Sequence, residues 1–288
     1  MPGKKSSVVE AKTFMGTEPM WPLLKRLSLP AMIGMLVNAL YNLVDTIFVG
    51  QGVGAYAIGA LSIAFPIQML VSAFAQMFGM GSASIISRRL GEKREDAAAA
   101  AAGTALSATF FFALMITILG NLFINPLLSL FGATEEILPY AREYLSIIFY
   151  GAIFLSITMA SNSIIRAEGK AKTAMVIMII GTGANLLLDP LFIFGFGMGI
   201  RGAAVATVIS QMLAFLFAVR FFSRGKSALP LHLKSFRIQL RELREMVVLG
   251  ISVFVRQAGG SLMALSVNNM LAIYGGSMAI TAYGMVLR

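Results

Sequence analysis

The chain alternates between long apolar runs and short polar links. Seven runs, at residues 27–49, 56–81, 98–120, 141–165, 172–195, 202–222 and 246–274, are each long enough to cross a membrane, and an eighth begins near Met278. About 20 apolar residues in an α-helix cross a hydrocarbon core roughly 30 Å thick. Backbone groups in lipid must be satisfied within the protein, which leaves helices or a closed barrel. Barrel strands are segments of about ten residues that alternate apolar and polar positions. These runs are longer and do not alternate. The pattern predicts an all-α polytopic membrane protein.

The links sort by charge. Basic residues fill the segment before the first run (Lys4, Lys5, Lys12, Lys25, Arg26) and the links after the second (Arg88, Arg89, Lys93, Arg94), the fourth (Arg166, Lys170, Lys172) and the sixth (Arg220, Arg224, Lys226, Lys234, Arg237, Arg241, Arg244). The intervening links carry only Arg142 and Arg201. This alternation supports the span count independently of hydropathy and predicts a cytoplasmic N-terminus, with the basic links on the same side. The first run then acts as an uncleaved insertion signal, because the N-terminal segment lacks the features of a cleavable leader. The link at 223–245 is longer and interleaves Leu231, Leu233, Phe236, Ile238, Leu240 and Leu243 with basic residues, which predicts a helix lying on the membrane surface. "LLKRLSLPAMIG" (23–34), leading into the first run, is loosely echoed by "ELREMVVLGISV" (242–253), leading into the seventh. An internal repeat of about six helices accounts for the echo. The expected division is a cytoplasmic segment at 1–22, a six-helix lobe at 23–222, a linker at 223–245 and the start of a second lobe at 246–288. On this reading the chain is about two-thirds of a longer protein.

Composition agrees with the pattern. The chain is 58% hydrophobic and 12% charged, with a mean hydropathy of +0.82, whereas soluble domains are about 25% charged. The net charge of +10 resides in the links and forms no basic face with interleaved aromatics, so no nucleic acid is expected as a partner. There are no cysteines and one histidine, His232, in a polar link. Thiolate metal sites, cysteine nucleophiles and histidine-rich metal sites are excluded. "GFGMG" at 195–199 follows an apolar helix, with no strand before it and no P-loop lysine, and reads as a tight link and not a phosphate loop. The six alanines at 97–102 read as a helix start. The nineteen methionines suit core filling or a pliable surface for apolar ligands.

The polar residues inside the apolar runs carry the chemistry. Of three aspartates, Asp45 and Asp189 fall in such runs. A charged group at the bilayer centre costs about 2.5–3.5 kcal/mol on insertion scales, so it normally faces a cavity or a partner. In the first run Asn38, Tyr41, Asn42 and Asp45 lie at i, i+3, i+4 and i+7, one stripe of a helix. Thr182, Asn185 and Asp189 repeat the spacing in the fifth run. Thr207, Ser210 and Gln211 cluster in the sixth, and Gln68, Ser72 and Gln76 in the second. These stripes predict a shared polar interior, although Asn, Gln, Ser and Thr also join helices at about 0.6 kcal/mol each. No lysine or arginine lies in the middle of the first six runs. Arg256, in the seventh, is the one available intramembrane counter-charge. Pro190 removes a backbone donor directly after Asp189, predicting a kink that frees carbonyls beside the carboxylate, an arrangement suited to a small cation. Pro66 is expected to bend the second helix, and Pro30 to stand near the start of the first.

"LYNLVDTIFVG" (40–50), "NLLLDPLFIFGFGMGIRGAAVAT" (185–207) and "RQAGG" (256–260) resemble the multidrug and toxic compound extrusion (MATE) transporters. The resemblance covers nearly the whole chain after about residue 20. It implies a truncated form of a twelve-helix fold: a six-helix lobe plus the first one or two helices of a second, pseudo-symmetric lobe. It implies alternating-access export of cationic or amphipathic compounds, coupled to inward flow of H⁺ or Na⁺, with no other cofactor and no enzymatic activity. Asp189, Asn185, Thr207 and Tyr41 would then form the cation-coupling site, with oxygen ligands for Na⁺ if sodium is the ion, and Asp45 would act in coupling. Asn38, Asn42, Gln68, Gln76, Thr182 and Gln211 are weaker candidates to line the substrate cavity. The expected setting is the cell membrane, and the complete protein is expected to be a monomer. A lipid-linked oligosaccharide flippase of the same superfamily is the alternative; it would favour basic residues in the cavity, where the first six runs have none.

Overall fold

A computed structural model describes residues 19–225, 227–229 and 233–287. The expectations for the N-terminal segment through residue 18, and for His232, lie outside the described residues. The helices are α1 (Met20–Gly52), α2 (Ala55–Gly91), α3 (Glu95–Leu122), a short α4 (Ile124–Leu130), α5 (Leu138–Ala167), α6 (Ala171–Pro190), α7 (Gly199–Ser223), α8 (Leu240–Tyr274) and α9 (Gly276–Leu287). A π-helical turn at Leu191–Gly195 follows α6, and a 3-10 turn at Leu233–Phe236 precedes α8. The described residues contain no strand. Among the described residues seven helices are long and apolar enough to cross a membrane, in the order the sequence indicates. The chain is a multi-pass membrane protein.

Helix α2 is the axis of the bundle and packs against α3, α5, α8 and α9. Its buried side is built from small and β-branched residues, among them Ala57, Ala60, Ile63, Ala64 and Ile67. Small side chains let helix backbones approach, and that close packing holds helices together in lipid, where no hydrophobic force drives one helix onto another. The alanines after Asp96 serve the same end: Ala98, Ala99, Ala101 and Ala102 are buried against Ile85, Ile86 and Ile164.

The contact of α2 with α8 is reciprocal. Gly81 lies against the Met246 backbone, and Gly250 lies against the Met77 backbone. Each helix thus contributes a Met and a Gly four residues apart, on one face. Further along the seam Pro66 has no N–H to offer the Ser62 carbonyl one turn earlier. Asn268 of α8, fully buried, donates its Nδ2 to that Ser62 oxygen at 3.3 Å. The Ser261 hydroxyl donates to the Pro66 carbonyl at 2.7 Å. At the basic end Arg89 pairs with Glu242 at 2.8 Å and Arg88 with Glu245 at 2.8 Å.

Two local expectations change. Pro30 lies inside α1, which begins at Met20. Helices in lipid accommodate proline where neighbouring groups satisfy the freed backbone. Of the surface helix expected at 223–245, residues 240–245 are the first turns of α8, and the described part before them holds the 3-10 turn and an extended approach at Gln239. The turn is fastened to α3 in place of lying free. Ser107 donates its hydroxyl to the Phe236 carbonyl at 2.7 Å, Thr104 donates to the Arg237 carbonyl at 3.3 Å, and Gly103 leaves room for the Ser235 backbone. These contacts satisfy carbonyls that a helix would have satisfied internally.

Candidate functional site

The site is assembled where α6 gives way to its π-helical turn. Pro190 cannot donate to the Leu186 carbonyl, and the helix leaves α-register directly after it: the Phe196 N–H reaches back to the Leu191 carbonyl at 2.9 Å. Two glycines clamp the turn. Gly52, at the end of α1, lies against Ile193 and Phe194, and at Gly202 of α7 a Cβ would stand 2.8 Å from the Phe192 oxygen. Phe48 meets Phe194 edge to face, with centroids 6.2 Å apart. The link that follows needs glycine at Gly197 and Gly199, whose φ angles are +63° and +59°. "GFGMG" is therefore the tight connection its composition suggests.

This clamp brings the polar positions of α1, α6 and α7 together. Asp189 is fully buried, and Asp45, Asn185 and Thr207 are buried with it. Asn185 donates its Nδ2 to Asp189 Oδ1 at 2.9 Å, the i, i+4 geometry of one helix face. Asp189 Oδ2 and Asn185 Oδ1 are buried and have no donor among the described residues. The Thr207 hydroxyl donates to the Ala203 carbonyl at 2.9 Å and stands near the Tyr41 side chain. Asp45 stands within hydrogen-bonding reach of Asp189. Two carboxylates are both acceptors, so that contact becomes a hydrogen bond only when a proton lies between them. A metal cation placed among these oxygens satisfies the same pair.

Tyr144 of α5 was not singled out in the sequence. It is buried and close enough to Tyr41 to interact electrostatically with it. Its signal was weak: it is one of seven tyrosines, near the start of its run, and stands on no polar stripe.

The weaker candidates do not converge here. Asn42 is half-buried, and its carbonyl accepts the Thr46 hydroxyl at 2.8 Å. The Thr182 hydroxyl turns back to the Met178 carbonyl at 2.9 Å, and Ser210 to Ala206 at 2.7 Å. Gln211 lies over Gly151 of α5, with its Oε1 buried and lacking a donor among the described residues. Gln68 borders the packing of α2 on α5, beside Leu145 and Phe149. Gln76 is half-buried on α2. The Asn38 side chain lies outside the described residues. Arg256 is exposed on α8.

The fold is shared with known proteins. The MatE family model matches residues 30–191. The multidrug export protein MepA of Staphylococcus haemolyticus (strain JCSC1435) is 32% identical over 91% of this chain and 58% of its own length. MepA of Staphylococcus aureus (strain MRSA252) is 28% identical over 94% of this chain and 60% of its own. Among solved structures, the MATE multidrug transporter DinF-BH superposes with a TM-score of 0.89 at 43% identity, covering 94% of this chain and 61% of that one. An inward-facing multidrug resistance MATE transporter of the MOP superfamily superposes at 0.83 with 32% identity, covering 92% of this chain and 60% of that one. The chain thus spans about three-fifths of the length of these relatives. A family model over more than half of the chain, with the same helices in the same places, establishes that this protein belongs to the MatE family of multidrug and toxic compound extrusion transporters.

Proposed function

We propose that the chain supplies the ion-coupling lobe of an antiporter that exports cationic and amphipathic compounds by alternating access, driven by H⁺ or Na⁺. The observation that carries the reading is the Asp189 carboxyl: fully buried, held by Asn185, faced by Asp45, and left with an oxygen that no donor among the described residues satisfies. Low dielectric penalises two adjacent negative charges. A proton between Asp45 and Asp189 removes one charge. A sodium ion among Asp189, Asn185, Thr207 and Tyr41 offsets it instead.

Loading and unloading this cation changes the charge between α1 and α6. Helix α1 touches its neighbours mainly through α6, so it is the helix whose seat depends most on that charge. Movement of α1 against α6 is the coupling step, and a two-state seat of this kind links cation and substrate binding reciprocally. In this reading the protein is a monomer, resides in the cell membrane with its N-terminus in the cytoplasm, and takes lipid and small cationic amphiphiles as its partners. The lobe boundaries are those of the sequence, at 23–222 and 246–288.

The test is export of a fluorescent cationic dye from vesicles containing the protein, first under an imposed pH gradient and then under an imposed sodium gradient. One gradient drives export, and Asp189→Asn abolishes it while the protein remains in the membrane. Gradient-driven export that survives Asp189→Asn removes the proposal.

A further inference from the structure

A second cavity lies apart from the polar cluster. It has a volume of about 450 Å³ and opens between α3, α5, α7 and the 3-10 turn of the link, within the roughly 300–1,000 Å³ of small-molecule sites. Its walls are hydrocarbon and aromatic, chiefly Leu106, Phe110, Ile157, Phe215, Phe222 and Phe236. Three serines complete the lining, and two of their hydroxyls are already committed. Ser107 donates to Phe236, and Ser223 to Arg220 at 3.3 Å. No acidic side chain among the described residues lines the cavity.

The mouth has a different character. Arg220, in the last turn of α7, follows the lining Val219, Arg224 follows Ser223, and Arg237 follows Phe236. All three are exposed, and none takes part in the ion pairs among the described residues. An oily groove at the basic end of the bundle, with three exposed arginines next in sequence to its lining residues and without acidic partners among the described residues, fits an amphiphile with an apolar tail and a negative head. It repels the cationic compounds assigned to the transport pathway. Basic pockets between membrane helices bind anionic lipid headgroups for this reason.

We infer that this groove is a binding site for an anionic phospholipid of the leaflet at the basic end, one acyl chain lying among the phenylalanines and the headgroup phosphate on Arg220, Arg224 and Arg237. One wall, Phe236, belongs to the link. Lipid in the groove therefore also fastens the link to α3, beside the hydrogen bonds from Thr104 and Ser107. A guanidinium donates two parallel hydrogen bonds to phosphate oxygens, and each additional acyl methylene removed from water adds to the binding.

The chain's single tryptophan, Trp21, makes the site open to a spectroscopic test. In a Trp21→Phe background, Phe215→Trp places the fluorophore on the groove wall. The protein is reconstituted into phosphatidylcholine vesicles doped with acyl-brominated phosphatidylglycerol or acyl-brominated phosphatidylcholine. The proposal predicts half-maximal quenching at a mole fraction roughly a hundredfold lower for the anionic lipid, about fivefold for each of three arginines beside one phosphate. Replacing Arg220, Arg224 and Arg237 together by glutamine removes that preference and leaves quenching by phosphatidylcholine unchanged. Ser161→Leu, which narrows the groove from within and keeps the arginines, weakens quenching by the anionic lipid as well. Circular dichroism establishes that each variant keeps its helix content, and the serine variant carries the test if the arginine variant does not fold. Equal quenching by the two lipids, no quenching by either, or a preference that outlasts the loss of the arginines overturns the assignment.

Discussion

Adding a single methyl group at Gly250 is predicted to loosen the joint between α2 and α8. A Cβ there would stand 3.0 Å from the Met77 Cα, and one at Gly81 would stand 3.0 Å from the Met246 Cα. The Met77 and Met246 carbonyl oxygens are nearer still and would overlap the added carbon; since atoms in contact rest at about 3.5–4.0 Å, the helices must separate by about 1 Å or more at that crossing. The obstructing atoms are backbone and cannot turn aside as a side-chain tip would. A radial gap of that size forfeits about half of each dispersion contact nearby, and overpacking in proteins costs about 1–3 kcal/mol. Gly250→Ala and Gly81→Ala should each destabilise the protein by about that amount. Gly259, on the same helix, has nothing within 4 Å. Gly259→Ala should be neutral or stabilise by up to about 1 kcal/mol, since alanine is the better helix former. Thermal unfolding in one detergent, followed by circular dichroism, compares the three variants directly. If Gly250→Ala and Gly259→Ala share the same midpoint, the backbone contact does not hold the seam.

The ion pairs at the basic end differ in exposure and should differ in weight. Arg89 and Glu242 are 17% and 10% exposed, so Arg89→Ala strands a nearly buried carboxylate and should cost about 2–4 kcal/mol. Arg88 and Glu245 are 58% and 39% exposed, so Arg88→Ala should cost at most about 1 kcal/mol; denaturant titration of the two variants checks the order. Asn268→Ala removes the donor that replaces the one missing at Pro66, leaving the Ser62 carbonyl buried without its partner. A loss of about 1–2 kcal/mol is expected, with faster amide exchange in α2 around Ser62 by mass spectrometry; unchanged exchange there would mean that the bond bears no load.

The helices were legible in the sequence because a bilayer leaves the backbone few choices, and an apolar run of the right length must be one of them. Asp45 and Asp189 were legible because a carboxylate in lipid is too costly to be incidental. The stripe on α6 foretold the bond from Asn185 to Asp189, since i, i+4 neighbours meet on any helix. The weaker stripes do not gather at the cluster around Asp189. Thr182 and Ser210 return their hydroxyls to their own helix, a use of serine and threonine that spacing alone does not separate from cavity lining. What remained hidden depended on partners distant in sequence. Nothing local to Gly81 says that Met246 will press on it, nothing near Pro66 says that Asn268 will supply its missing donor, and Tyr144 enters the site only because α5 packs beside α7. Pro190 marked where α6 must change, but the π-helical form of that change is set by Gly52 and Gly202 closing on either side.

Linkage between cation and stability tests the central claim most directly. A cation bound at Asp189 in the folded protein and released on unfolding stabilises it by about 2.7 kcal/mol at one hundred times its dissociation constant. The measurement is the thermal midpoint of the purified protein across a sodium series at fixed pH and a pH series at fixed sodium, each repeated on Asp189→Asn. The account predicts that the wild-type midpoint shifts along at least one series and that the shift attributable to that cation is absent from the variant. Identical responses of wild type and Asp189→Asn along both series would contradict it.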